Sequence, residues 1–169
     1  DQLILATGSN SFRPPIVEKS KLKGIFTLRN RRDADNLSRF TEGKENVVIV
    51  GGGILGIELA DSLRKVGKTV TVIQRSSRLM ERQLDELGSQ LLDLELKDRD
   101  INIIYQDEVT AFNGVSDISA LQLRSGRVIK CDAVVFAIGT KPNIEIARNA
   151  GINCGRGVVI NDYFQTSDS

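Results

Sequence analysis

The sequence predicts an α/β fold: a parallel sheet with helices on one or both faces, joined to an antiparallel β-meander. Three stretches carry that expectation. Asn46–Gln74 reads as strand, glycine turn, helix, turn and strand. Leu84–Tyr105 reads as a leucine-rich helix followed by another strand, and Val109–Cys131 breaks into short strands. Strand and helix patterns that alternate imply parallel pairing, whereas short strands with tight turns imply antiparallel pairing.

Taken in order, Leu3-Ile4-Leu5-Ala6 predicts a short buried strand that ends at Thr7-Gly8. Arg13-Pro14-Pro15 predicts a stiff extended connection, because proline fixes φ and restricts the residue before it. Phe26-Thr27-Leu28 suits a brief strand and Asn30–Phe40 a helix, with Ala34 and Leu37 opposite a charged face. Arg29, Arg31, Arg32 and Arg39 are read as that solvated face.

Val47–Val50 is a β-branched apolar run, as expected of a strand buried on both faces. It stops at Gly51-Gly52-Gly53, and Ile54 opens a helical pattern in which Gly56, Leu59, Ala60, Leu63 and Val66 should face the core. Gly67 suits the left-handed stop, and Thr69–Ile73 the next strand. Leu84, Leu87, Leu91 and Leu94, widened by Leu92 and Leu96, predict a helix over 84–97 whose leucines are core. Ile101–Tyr105 is then a third parallel strand. Val109–Phe112, Ile118–Arg124 and Arg127–Cys131 form the meander, turning at Asn113-Gly114 and Ser125-Gly126, and are expected to extend the parallel sheet. Ala133–Ile138 returns to a continuous apolar strand. Ile144–Ala150 reads as a short helix stopped by Gly151, and Gly157–Ile160 as a last strand.

Composition narrows the chemistry. The 169 residues suit one domain, or one domain with pieces of another, and 40% hydrophobic content suffices for a core. A net charge of +1 with both signs interspersed argues against a nucleic-acid surface, and no apolar run is long enough to span a bilayer. Cys131 and Cys154 lie far apart and form no Cys-x-x-Cys, which fits a reducing cytoplasm and argues against a redox centre. Without histidine there is no Ser-His-Asp or Cys-His catalysis and no imidazole-based zinc site. No catalytic side chain and no metal ligand is therefore expected, and any chemistry must come from a bound molecule.

Gly51, Gly53 and Gly56 supply Gly-x-Gly-x-x-Gly where a strand gives way to a helix, the setting in which that spacing means dinucleotide binding. Gly51 turns the chain off the strand, Gly53 lets the backbone approach a pyrophosphate, and Gly56 brings the helix against the sheet. Unpaired amides at the helix start, those of Ile54 and Leu55 among them, would hold the anion. An acid some 20 residues on would select the ribose 2′-hydroxyl of NAD, whereas arginine suits the 2′-phosphate of NADP. The chain has Gln74, Arg75 and Arg78 there. Gln74 can hydrogen-bond without repelling phosphate, and the arginines either reach it or are merely solvated. NADPH is expected to be tolerated.

Four segments in this order, ILATGS, VVIVGGGILGIELA, VVFAIGTKPN and GVVINDYFQTSDS, resemble the FAD-dependent pyridine nucleotide-disulfide oxidoreductases. Members of that family carry a Rossmann-like NAD(P)H domain inserted into an FAD domain. The resemblance implies a remnant of the FAD domain and linker at 1–25, the NAD(P)H-binding domain at 26–145 and a return segment at 146–169. It implies a piece of a longer cytoplasmic flavoprotein that presents hydride from NAD(P)H to FAD held elsewhere, with FAD bound weakly or not at all by this piece. Its partners would be the nicotinamide dinucleotide and the FAD and downstream redox domains of the same polypeptide. RLMERQLD and the following leucines look most like the large subunit of NAD(P)H-dependent nitrite reductase. NADH oxidases and rubredoxin or ferredoxin reductases are the alternative, and a stand-alone nucleotide-binding or redox-sensing module the second. By resemblance Gly52 joins the phosphate turn. Glu58 lies near the nicotinamide or the domain interface, or else simply complements the helix dipole. Ile138 and Gly139 border the nicotinamide, unless Gly139 merely ends a strand.

Overall fold

The computed structural model describes residues 2–168. In chain order its elements are β1 (Ser9–Ser11), α1 (Pro15–Lys19), β2 (Ile25–Thr27), α2 (Arg31–Phe40), β3 (Asn46–Val50), α3 (Ile54–Lys65) and β4 (Thr69–Gln74). There follow α4 (Glu86–Asp98), β5 (Ile101–Tyr105), β6 (Val109–Gly114), β7 (Ile118–Leu123), β8 (Val128–Lys130), β9 (Ala133–Phe136), β10 (Thr140–Pro142) and α5 (Glu145–Asn149). The chain forms two compact units, Arg13–Ile138 and a second made of residues 1–12 and 139–169. These divisions, at 12/13 and 138/139, both lie N-terminal to the boundaries at 25/26 and 145/146 that the family resemblance suggests.

In the larger unit, five parallel strands lie in the order β2-β9-β3-β4-β5. Their side chains alternate between two cores. Val47, Ile49, Val70, Val72, Ala133 and Val135 share one cluster with Leu37 of α2, Ala60 and Leu63 of α3 and Leu96 of α4. Val48, Ile73, Ile104, Val134 and Phe136 share the other with Ile118, Leu121 and Leu123 of β7. The parallel sheet is thus the middle of three layers, which is why its strands are apolar on both faces. The meander is its own three-stranded sheet, β6-β7-β8, packed across the parallel sheet and not hydrogen-bonded into it as expected.

Local chemistry sets the helix ends. Asn30 caps α2 in a capping box, accepting from the Asp33 amide while Asp33 accepts from the Asn30 amide. α3 ends in a Schellman turn: Gly67, at φ +81°, donates to Arg64 O, and Lys68 donates to Leu63 O. Asp132 aligns β9 with β3 by accepting the Glu45 and Asn46 amides at 3.1 and 2.8 Å, and those bonds hold its carboxyl below the usual range.

Several expectations fail on tertiary grounds. Leu3-Ile4-Leu5-Ala6 is not a strand: residues 2–8 have no regular structure, Leu3 and Ile4 are over four-fifths exposed, and the strand is Ser9–Ser11, paired antiparallel with β10. Pro14 is extended as expected, but Pro15 opens a helix, where its missing N–H costs nothing. Val66 is exposed because it caps α3 instead of facing the core. The last apolar strand stops at Phe136, not Ile138. Gly157–Ile160 provides only the single bridge Cys154–Val158. Most instructively, Leu87, Leu91 and Leu94 of α4 are 59–65% exposed, and only Leu96 is fully buried, with Leu92 partly so.

Candidate functional site

β3 lies between β4, the strand that follows it, and β9, to which the chain returns only after β5, so the strand order changes direction beside β3. Such a reversal opens a crevice beyond the strand ends, and ligands of open α/β sheets bind there. The glycine turn occupies it. Gly51 has φ +113°, and a Cβ on it would lie 2.5 Å from Ala137 O. A Cβ on Gly56 would lie 1.9 Å from Gly51 O, so only glycine lets α3 rest on the turn. A Cβ on Gly52 would meet Leu79 Cδ2 at 2.5 Å. At Gly53 a Cβ would meet nothing within 4 Å. Backbone atoms demand glycine at 51 and 56, the buried Leu79 side chain crowds Gly52, and Gly53 faces open space.

Gly53 is also the N-cap of α3, without a side-chain cap, and the first turn holds no acid. The leading amides of α3, from Ile54 onward, have no partner within the helix. Ile54 and Leu55 are half exposed beside them. Open approach, free donors and the positive end of the helix dipole together suit a phosphate-bearing ligand. The cradle therefore fits the pyrophosphate of a dinucleotide.

Glu58 is exposed and is the fifth residue of α3, beyond the first turn, so the dipole-capping alternative is weakened. Ile138 is partly exposed and would lie 3.2 Å from a Cβ on Gly51, at the β9 side of the crevice. Gly139 belongs to the smaller unit, where it has φ +100° and its carbonyl accepts the Phe12 amide at 2.9 Å.

At the end of β4, Gln74 points back toward the glycines. Its Oε1 accepts the Gly52 amide at 2.8 Å, and its Nε2 donates to Ser76 Oγ at 2.5 Å and Arg78 O at 3.1 Å. Met80 donates to Gly52 O at 2.9 Å, and Leu79 is fully buried beneath the turn. Sequence reasoning missed Ser76, Leu79 and Met80 as supports, since nothing in their spacing marks them. Arg75 is exposed and makes no hydrogen bond or ion pair among the described residues. Arg78 donates to Glu81 O at 3.2 Å and lines a cavity of 680 Å³ with Ser77, Glu86, Ser89, Asp93 and Tyr105. There burial and the Asp93 carboxylate, which accepts its hydroxyl at 2.6 Å, push the Tyr105 phenol up.

The cysteines are free; burial pushes the Cys131 thiol up to about 12, so it is an inert core residue. No group of three or more potential ligands able to hold a metal occurs among the described residues, nor does a helix long and apolar enough to cross a membrane.

Comparison with known proteins adds the family. The family model described as pyridine nucleotide-disulphide oxidoreductase matches residues 1–169. Over 99% of its length the chain is 34% identical to the assimilatory nitrate reductase electron transfer subunit of Bacillus subtilis, covering 22% of that protein. Over 98% it is 36% identical to the NAD(P)H nitrite reductase of the same organism, covering 20% of it. Among solved structures, a ferredoxin reductase from Rhodopseudomonas palustris superposes with a TM-score of 0.91 at 28% identity, over 96% of this chain and 40% of that one. The chain thus spans about a fifth of those two relatives. It belongs to the pyridine nucleotide-disulphide oxidoreductases, a family of FAD-dependent NAD(P)H oxidoreductases.

Proposed function

We propose that the unit Arg13–Ile138 is the NAD(P)H-binding domain of a flavoprotein and presents the nicotinamide to an FAD held elsewhere in the polypeptide. The observation that carries this reading is Gly53: open space in front of it, uncapped amides behind it, at the reversal point of a parallel sheet. The nicotinamide, when bound, supplies the hydride. The chain supplies position. The amides of Ile54 and Leu55 with Gly51, Gly52, Gly53 and Gly56 hold the pyrophosphate, and Ile138 borders the nicotinamide. Glu58 lies on the same helix as those amides and is assigned to the nicotinamide end. Arg75 and Arg78 are assigned to the ribose 2′-phosphate, and no acid between Gln74 and Arg78 repels it, so on this reading NADPH is accepted and favoured.

Similarity over nearly the whole chain to nitrate- and nitrite-reducing proteins of Bacillus subtilis supports a nitrite reductase large subunit as the parent polypeptide. A rubredoxin reductase of Pseudomonas putida, 33% identical over the whole chain, supports the alternative of a small-redox-protein reductase. Iron–sulfur or sirohaem cysteine motifs further along the reading frame would decide for the first. FAD belongs to the whole protein and is not assigned to this unit; on this reading the unit alone is inactive and resides in the cytoplasm. The direct test is calorimetric titration with NADPH and NADH. Binding of at least one, weakened for NADPH by Arg75→Ala, is expected. No uptake of either at millimolar concentration would end the proposal; a strong NADH preference unaffected by Arg75→Ala would end the assignment of the 2′-phosphate site.

A further inference from the structure

At the end of the second strand of a dinucleotide fold, a side chain is expected to reach outward to the ribose. Gln74 does the opposite. Its carbonyl oxygen accepts the Gly52 amide at 2.8 Å, and both hydrogens of its amide are committed, to Ser76 Oγ and Arg78 O at 2.5 and 3.1 Å. Ser76 Oγ donates in turn to Arg78 O at 3.0 Å. On its other face Gly52 accepts from the Met80 amide at 2.9 Å, and Leu79 closes the space below it. The middle glycine of the turn is thus fastened on both sides to the 76–80 loop, and Gln74 is the side chain that makes one of the two fastenings.

We infer that Gln74 is a positioning residue, not a ribose ligand: it clips the phosphate-binding glycine turn to the 76–80 loop, which carries Arg78 and follows Arg75. This deepens the nucleotide-binding reading above and rests on it. A primary amide suits the task because one end accepts and the other donates. Alanine supplies neither. Glutamate keeps the acceptor for Gly52 but has no hydrogens for Ser76 and Arg78. The clip therefore has separable halves: the acceptor half serves the pyrophosphate, common to every dinucleotide, and the donor half serves the 2′ end.

The test uses the full-length protein and oxidised ligands, so that no turnover intervenes: NAD⁺, NADP⁺ and ADP-ribose by calorimetry, with amide hydrogen exchange at Gly52 measured without ligand. Gln74→Ala is expected to weaken all three ligands by about tenfold, the effect of losing one well-placed hydrogen bond, and to speed exchange at Gly52. Gln74→Glu is expected to restore slow exchange and the affinity for NAD⁺ and ADP-ribose. Weakening of NADP⁺ alone by Gln74→Ala would show direct contact with the 2′-phosphate and overturn the inference, as would unchanged Gly52 exchange in that variant. The exchange measurement in wild type and Gln74→Glu stands even if Gln74→Ala fails to fold, and fast exchange in both would also overturn it. If the wild type bound none of the three ligands, the nucleotide-binding reading would fail while the exchange data still judged the clip.

Discussion

The helices α3 and α4 are near twins in sequence and opposites in the fold. They have 12 and 13 residues, both show apolar residues at helical spacing, and both connect neighbouring parallel strands. α3 buries Gly56, Ala60 and Leu63 against β3 and β4, the middle of the sheet. α4 buries Ser89 and Leu96, and leaves Leu87, Leu91 and Leu94 in the open. The difference lies in what each helix covers. β3 and β4 have strands on both sides, whereas β5 is an edge strand, so the outer flank of α4 has no sheet beneath it. Hydrophobic period identifies a helix; the width of the sheet below decides which part of its stripe becomes core.

Substitutions can break this contrast at its extremes. The largest effect is expected from Gly56→Val, because even a Cβ there would stand 1.9 Å from Gly51 O. Overpacking costs about 1–3 kcal/mol, and a clash this close with backbone belongs at the upper end; denaturant unfolding should register it as a lower midpoint or as failure to fold. Next comes a paired measurement on α4. Leu96→Ala should cost about 3 kcal/mol, and Leu91→Ala less than about 0.5 kcal/mol, since only the first empties a packed site. Equal costs would mean that the leucine stripe is covered in solution.

Gly53→Ala sharpens the contrast between glycines that fold the turn and the one that receives a ligand. With φ at −87° and no neighbour within 4 Å, the new methyl is unstrained, and the cost should be limited to the poorer N-cap, about 1 kcal/mol or less. Nucleotide affinity should nevertheless fall about tenfold or more, as the methyl occupies the approach to the amides. A drop in stability without a change in affinity would reverse the assignment.

The subtlest expectation concerns the edge strand, which is secured by charge where the central strands rely on packing. Asp107, just after β5, is almost wholly buried and accepts from Ser125 Oγ at 2.6 Å, Arg127 Nη2 at 3.0 Å and the Ser125 and Glu108 amides. Burial alone would raise its carboxyl, but these donors outweigh it and hold the group at about 2. A depressed carboxylate contributes stability that is present above its ordinary value of 3.8 and is lost as the pH falls through about 2. Stability followed by thermal melts should decline over that window, and Asp107→Asn should flatten the decline.

Much of this was legible beforehand, and the particular residues explain why. β3, β4, β5 and α3 followed from runs such as Val47–Val50 and from the glycine spacing, because local sterics and burial on both faces leave few alternatives for such segments. Gly51 and Gly56 followed for the same reason: no other residue fits a left-handed turn or so close an approach. The inward turn of Gln74 was not legible, because an amide can hydrogen-bond in any direction and only its neighbours choose. Neither was the exposure of Leu3 and Ile4, whose strand-like composition finds no partner strand among the described residues.

What the chain's own order of residues determines, then, is the periodicity of each segment and the positions that only glycine can occupy, because both are decided within a few residues of backbone. What tertiary structure alone decides is which strand is central and which is edge, that the meander lies across the sheet instead of joining it, and which hydrogen-bond partners Gln74 takes. Those depend on groups distant in sequence meeting in space, and no local pattern records such a meeting.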